Sequence, residues 1–151
     1  KGSRFTVRLP TQAEVRCAAG DVSAHDSEVR EGQRILVVDD ESGIREIMVR
    51  MLRQHETVQA AGGQEAKQTL QRDQQFDLIL CDMMMPDISG MDVHAWLCEH
   101  HPQLAERVVF ITGGAFTPLA RSYLQSVPNA RIEKPFDIKL FQKIVAEQLG
   151  R

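Results

Sequence analysis

The chain has 151 residues, of which 42% are hydrophobic and 26% charged, and its formal net charge is −3. That length suits one core plus additional chain, and a pI of about 6.0 gives no electrostatic basis for nucleic acid or an anionic membrane as partner. No apolar run reaches the roughly 18 residues of a membrane span, and no signal peptide opens the chain. A cytoplasmic location without direct membrane contact is therefore expected. The three scattered cysteines, Cys17, Cys81 and Cys98, fit a reducing compartment.

In chain order, Phe5, Val7 and Leu9 alternate with polar residues up to Pro10, the pattern of a half-buried strand without a sheet of its own. Residues 11–33 mix Ala, Ser, Gly and charge with no sustained apolar period and read as a solvated linker. From Arg34 onward strand and helix patterns alternate. Residues 34–38 form an apolar run, and Ser42 is placed to cap a helix with Ile44, Ile47, Met48, Met51 and Leu52 inward. A strand is expected at 57–61, a break at Gly62-Gly63 and a helix at 64–73. Leu78–Cys81 is a strand buried on both faces. A helix carrying Val93, Trp96 and Leu97 ends before Pro102. The strand 108–111 precedes the breaker Gly113-Gly114 and a helix from about 117 to 125. A brief strand spans 130–133, and Asp137 caps a last helix with Leu140, Phe141, Ile144, Val145 and Leu149 inward. Five strands alternating with five helices imply right-handed crossovers and a doubly wound α/β fold with a parallel sheet.

The polar residues at the strand ends carry the chemistry. Asp39-Asp40 ends one apolar run, Asp82 another and Thr112 a third, while Lys134 follows the fourth and precedes Pro135-Phe136. Ligands of open α/β sheets bind at the C-terminal strand ends. Crowded carboxylates repel, so Asp39, Asp40 and Asp82 need a cation to remain ionised together. All-oxygen donors favour a hard ion such as Mg²⁺, with Mn²⁺ the alternative. One carboxylate can then act as a nucleophile toward phosphorus, with Lys134 neutralising charge on the transferring group and Thr112 donating its hydroxyl.

In that order, Val38-Asp39-Asp40-Glu41, Asp82-Met-Met-Met-Pro86 with Gly90, Thr112-Gly113 and Lys134-Pro135-Phe136 resemble the motifs of the receiver domain of two-component signalling. The resemblance covers roughly residues 34–150 and implies the strand order 2-1-3-4-5. It implies that Asp82 is the phosphoacceptor, taking its phosphoryl group from a phosphohistidine. Asp40, Asp82 and the backbone carbonyl of Met84 are implied as Mg²⁺ ligands, with Asp39 acting largely through water. Thr112 and Lys134 are implied to contact the phosphoryl oxygens, and the Lys134–Pro135 bond to be cis. Arg131 departs from the aromatic residue often found three before the lysine, so an aromatic rotamer swap coupled to Thr112 is not expected. The partner implied is the dimerisation and phosphotransfer domain of a histidine kinase, or a histidine phosphotransfer protein; a weak homodimer is allowed. The face after residues 112–117, with Leu119, Tyr123 and Arg131, is the expected partner surface.

Residues 1–10 resemble the end of the ATP-binding domain of sensor histidine kinases, where a Gly-rich turn feeds a last strand stopping at Pro. With the chain ending at Arg151 directly after the last helix, the expectation is a C-terminal receiver of a hybrid histidine kinase, spanning 34–151. The rivals are a stand-alone response regulator, a receiver used as an unphosphorylated docking platform, an aspartyl-phosphate hydrolase and a flavin-binding module. The hydrolase lacks an acid/base carboxylate just after Asp82 and a substrate cap. The flavin module lacks a hydroxyl- and Gly-rich phosphate loop. Met83-Met84-Met85 reads as packing, His100-His101 as a helix-end pair suited to the dipole, and His25-Asp26 as solvated linker. Trp96 is expected in the core and Tyr123 at the surface.

Overall fold

The computed structural model describes residues 32–114 and 117–150. The strand expected at residues 1–10 and nearly all of the linker at 11–33 lie outside them, as do Cys17, His25 and Asp26. The elements are β1 (Arg34–Val38), α1 (Ser42–Met51), β2 (Glu56–Ala60), α2 (Gly63–Arg72), β3 (Leu78–Asp82), α3 (Gly90–His100), α4 (Pro102–Ala105), β4 (Val108–Thr112), α5 (Pro118–Ser126), β5 (Arg131–Glu133) and α6 (Ile138–Leu149). All strand pairs are parallel, in the order β2-β1-β3-β4-β5. This is the doubly wound sheet expected. Among the described residues six helices replace the expected five, because Pro102 ends α3 and opens a separate short turn at its own N1 position.

Successive strand residues point to opposite faces, and each face has its own core. Leu36, Val38, Ile79, Cys81, Val108 and Phe110 pack against Ala66, Leu70, Val93, Leu97, Ala120 and Leu124 of α2, α3 and α5. Ile35, Val37, Leu78, Leu80, Val109 and Ile111 pack against Met48 of α1 and Phe141, Val145 and Leu149 of α6. Because the central strands are covered on both sides, the runs are apolar without alternation. Burial of each such aliphatic side chain is worth about 1.5–3 kcal/mol.

Four local expectations are corrected. Glu41, not Ser42, stands at the N-cap of α1 and gives no side-chain cap; Ser42 is the first helical residue. Ile47 and Leu140 are 46% and 53% exposed because each lies roughly a quarter-turn or more from the centre of its helix's buried stripe. Tyr123 is half-buried rather than a surface residue: its hydroxyl meets His94 Nδ1 at 2.7 Å, and both rings pack edge-on against Phe110. Trp96 is half-buried at the edge of the core it was expected to join. Asp137 does cap α6, its side chain accepting from the Leu140 amide at 2.8 Å.

Buried His94 makes a pH prediction. Burial pulls its pKa below the ordinary 6.5, opposed only in part by bonds to the Ala105 backbone and the Asn129 side chain. The folded state then binds fewer protons than the unfolded state below pH 6.5, so stability falls as pH drops through that point toward the depressed folded value. Denaturant unfolding at pH 7.5 and 5.5 is expected to show a loss in the parent that shrinks in His94→Gln. Equal losses in both proteins would assign the effect elsewhere.

Candidate functional site

Strand register gathers the polar residues at one sheet edge. Val38 pairs with Cys81, so Asp39 leaves β1 level with Asp82 at the end of β3. Asp82 pairs with Ile111 and Thr112 with Glu133. Lys134 then follows β5, its amide donating to the Thr112 carbonyl at 2.7 Å. Asp82 and Thr112 are the final residues of their strands, one residue longer than the sequence pattern implies, so the ladder itself fixes their backbones. Asp39, Asp82 and Thr112 are buried, whereas Asp40 is exposed.

Lys134 Nζ bridges the two buried carboxylates, 2.8 Å from Asp39 Oδ2 and 2.9 Å from Asp82 Oδ1. Asp39 Oδ1 accepts from the Glu41 amide at 2.9 Å, and Asp82 Oδ2 from the Met84 amide at 3.2 Å. Burial is the main influence on Asp82 and pushes its pKa up; the bond to Lys134 and its charge offset this only in part, while Asp39 adds to it. Burial alone pulls Lys134 down, but its bonds and attraction to Asp39 and Asp82 outweigh that, leaving the ammonium above its usual value. Cys81, next to the acidic pair, is driven well above the ordinary thiol range by burial and those charges. It is fully buried and packs in the core.

One carboxylate oxygen from each of Asp39, Asp40 and Asp82 lies within 4.8 Å of the others. This donor set fits a hard divalent cation. Both Asp39 oxygens are engaged by the protein, while the Asp40 carboxylate makes no hydrogen bond or ion pair among the described residues. Thr112 Oγ1 donates to the Ile132 carbonyl at 3.3 Å. The Lys134–Pro135 peptide is cis. Arg131 is exposed at the start of β5, paired with Phe110.

The loop after Asp82 is held on two sides. Gly90 opens α3 with its amide on the Met83 carbonyl at 3.1 Å, and Ser89 and Asp92 complete a reciprocal capping box. Gly63 abuts Ile88 so closely that a Cβ there would lie 2.4 Å from the Ile88 carbonyl oxygen. Asp87 takes a left-handed conformation at φ 65°, which Asp tolerates better than most residues. Sequence reasoning missed Arg45, whose Nη1 donates to the Asp39 carbonyl at 2.6 Å. The available signal was a cation near a helix N-terminus, where the helix dipole opposes it.

Comparison with known proteins gives concordant matches. The family profile described as "Response regulator receiver domain" matches residues 35–146. The chain is 34% identical to the response regulator protein PilR of Pseudomonas aeruginosa, covering 78% of this chain and 26% of that protein. It is 28% identical to the sensor kinase CckA of Brucella abortus, covering 100% of this chain and 17% of that one. The chain thus spans about a quarter or less of these two relatives. A solved response regulator receiver domain from Clostridium thermocellum superimposes with a TM-score of 0.68 at 26% identity, covering 79% of this chain and 95% of that one.

Proposed function

This chain belongs to the response regulator receiver domain family, and from that membership and the acidic cluster we propose that it accepts a phosphoryl group from a phosphohistidine onto Asp82. The observation that carries the proposal is the convergence of Asp39, Asp40 and Asp82 with Lys134 bridging two of them. An Asp82 oxygen attacks phosphorus; the P–O bond forms as the P–N bond breaks, and the imidazole leaves with the electron pair. Asp40 and Asp82, with the Met84 carbonyl, would hold Mg²⁺ or Mn²⁺, which when bound supplies positive charge to the phosphoryl oxygens. Lys134 follows the charge from the Asp82 carboxylate to the new phosphoryl oxygens. Thr112 reaches them by leaving the Ile132 carbonyl, a rotation about one side-chain bond. That rotation and the drawn-in Lys134 would bias the loop and helix beyond Thr112 between two packings. Exposed Leu119 and Arg131 would present the result to a partner. With Tyr123 tied inward to His94, the apolar part of that face rests on Leu119.

A small-molecule phosphodonor tests this reading by intact mass. One phosphoryl adduct that requires Mg²⁺ and disappears on chelation is expected. Adduct formation indifferent to the metal would overturn it.

Ile47, Ile138, Leu140 and Met84 are large exposed apolar side chains on α1, on the start of α6 and in the loop after Asp82. They suit the apolar face of a helix presenting a phosphorylated histidine over the pocket. Ile47→Asp is expected to slow transfer from a phosphorylated histidine phosphotransfer protein about tenfold or more, leaving uptake from a small-molecule donor unchanged. Equal slowing with both donors would place the effect in the pocket and not in docking.

The sensor kinase alignment reaches over the whole chain, residues 1–31 included, and supports a hybrid histidine kinase as the parent protein. The identity to PilR over 78% of the chain keeps a response regulator as the second reading. Autophosphorylation of the parent protein with ATP separates the two.

A further inference from the structure

Arg45 stands near the start of α1, a helix with no acidic residue in its first turn. The positive end of the helix dipole opposes a cation there, yet the side chain is half-buried and reaches back to the end of β1. Nη1 donates to the Asp39 carbonyl oxygen at 2.6 Å. Asp39 is held at every polar atom: its amide donates to the Ala60 carbonyl, Oδ1 accepts from the Glu41 amide and Oδ2 from Lys134. Asp40, next in sequence, is exposed, and its carboxylate is without a partner among the described residues. The Asp39 carbonyl and the Asp40 Cα belong to one planar peptide unit. A bond to that oxygen therefore fixes the point from which the Asp40 side chain departs.

We propose that Arg45 is a positioning residue that, through the Asp39 carbonyl, pre-places the Asp40 carboxylate beside Asp82 for a divalent cation. This rests on the reading that the acidic cluster binds Mg²⁺. Two effects of Arg45 oppose each other. Its charge repels the incoming cation, which alone would make its removal tighten binding. Its hydrogen bond holds the peptide, which alone would make its removal weaken binding. The sign of the change decides which one dominates, and partners that orient ligands without touching the metal commonly control affinity by about 10- to 100-fold.

The test is calorimetric titration of the full chain with Mg²⁺, without phosphodonor, for the parent, Arg45→Ala, Arg45→Gln and Arg45→Lys. Thermal melts in chelator run alongside to check folding. Arg45→Ala is expected to bind about tenfold more weakly. Arg45→Lys keeps a charged donor and Arg45→Gln a neutral one, so both are expected to recover part of that loss. Arg45→Ala binding as tightly as the parent, or more tightly, overturns the proposal; so does Arg45→Gln binding no better than Arg45→Ala. If Arg45→Ala fails to fold, Arg45→Gln decides alone: affinity within a few-fold of the parent is expected, and a tenfold or greater loss overturns the proposal. A parent chain that takes up no Mg²⁺ sinks the metal-binding reading itself, a result distinct from any difference among the variants.

Discussion

Replacing Asp82 with Asn is expected to abolish phosphoryl uptake and, without cation, to raise the stability of the domain. The first effect follows from chemistry: an amide offers no carboxylate oxygen to attack phosphorus. The second follows from where Asp82 sits. Asp82 is buried and its pKa is raised, chiefly by desolvation, with Lys134 compensating only in part and Asp39 repelling it. A carboxylate whose folded pKa exceeds its ordinary 3.8 is less comfortable ionised in the fold than in the unfolded chain. That penalty is present above the folded pKa and absent below about 3.8, where both states are neutral. In chelator at pH 7, Asp82→Asn is expected to melt about 3 °C or more above the parent, with the gap closing as pH falls below the raised folded pKa. A lower melting temperature at pH 7 would mean that Lys134 more than compensates burial. The buried Asp82 carboxylate therefore holds charge at a cost to the fold, as functional sites often do.

The second large effect is expected at Gly90. A Cβ there would stand 2.3 Å from the Asp82 carbonyl oxygen and 3.0 Å from the Met83 Cα. Both are backbone atoms at or just after the end of β3, so relief requires α3 or Asp82 to move. Overpacking a tight site costs about 1–3 kcal/mol, and Gly90→Ala is expected at the upper end of that range. Because the displaced atom belongs to Asp82 itself, phosphoryl uptake should slow even at temperatures where the variant remains folded. Gly43→Ala is the fitting comparison, since a Cβ at Gly43 meets nothing within 4 Å and Ala in a helix gains up to about 1 kcal/mol over Gly. Denaturant unfolding and uptake rate on both variants check the pair. Gly90→Ala with parent-like stability would contradict the close packing.

What the sequence made legible is what depends on period and order. Apolar runs such as Ile35–Val38 and Val108–Ile111, short and alternating with helical patterns, read as strands covered on both faces, and from them the doubly wound sheet follows. Asp39, Asp82, Thr112 and Lys134 come together because parallel register carries strand ends to one edge, so knowing the strands was nearly enough to assemble the cluster. Interactions set by side-chain reach were not legible. Arg45 and Asp39 are six residues apart with no periodic relation that announces a bond. Tyr123 and His94 lie 29 residues apart, and only the packing of α3 and α5 over Phe110 brings their polar ends within 2.7 Å. Ile47 and Leu140 look inward by composition, but the stripe on each helix is narrower than its apolar content suggests. Pro102 reads from the sequence as a stop for α3; that it also starts α4 depends on a single turn too short for any period to reveal.

The most direct test of the central claim is to phosphorylate the chain in the presence of Mg²⁺, reduce the acyl phosphate with borohydride and map the product by peptide sequencing. Reduction converts a phosphorylated aspartate to homoserine, which marks the acceptor. Homoserine at position 82 alone is the predicted result. Homoserine at 39 or 40, or phosphate retained on a histidine after reduction, would contradict the assignment of Asp82 as the acceptor.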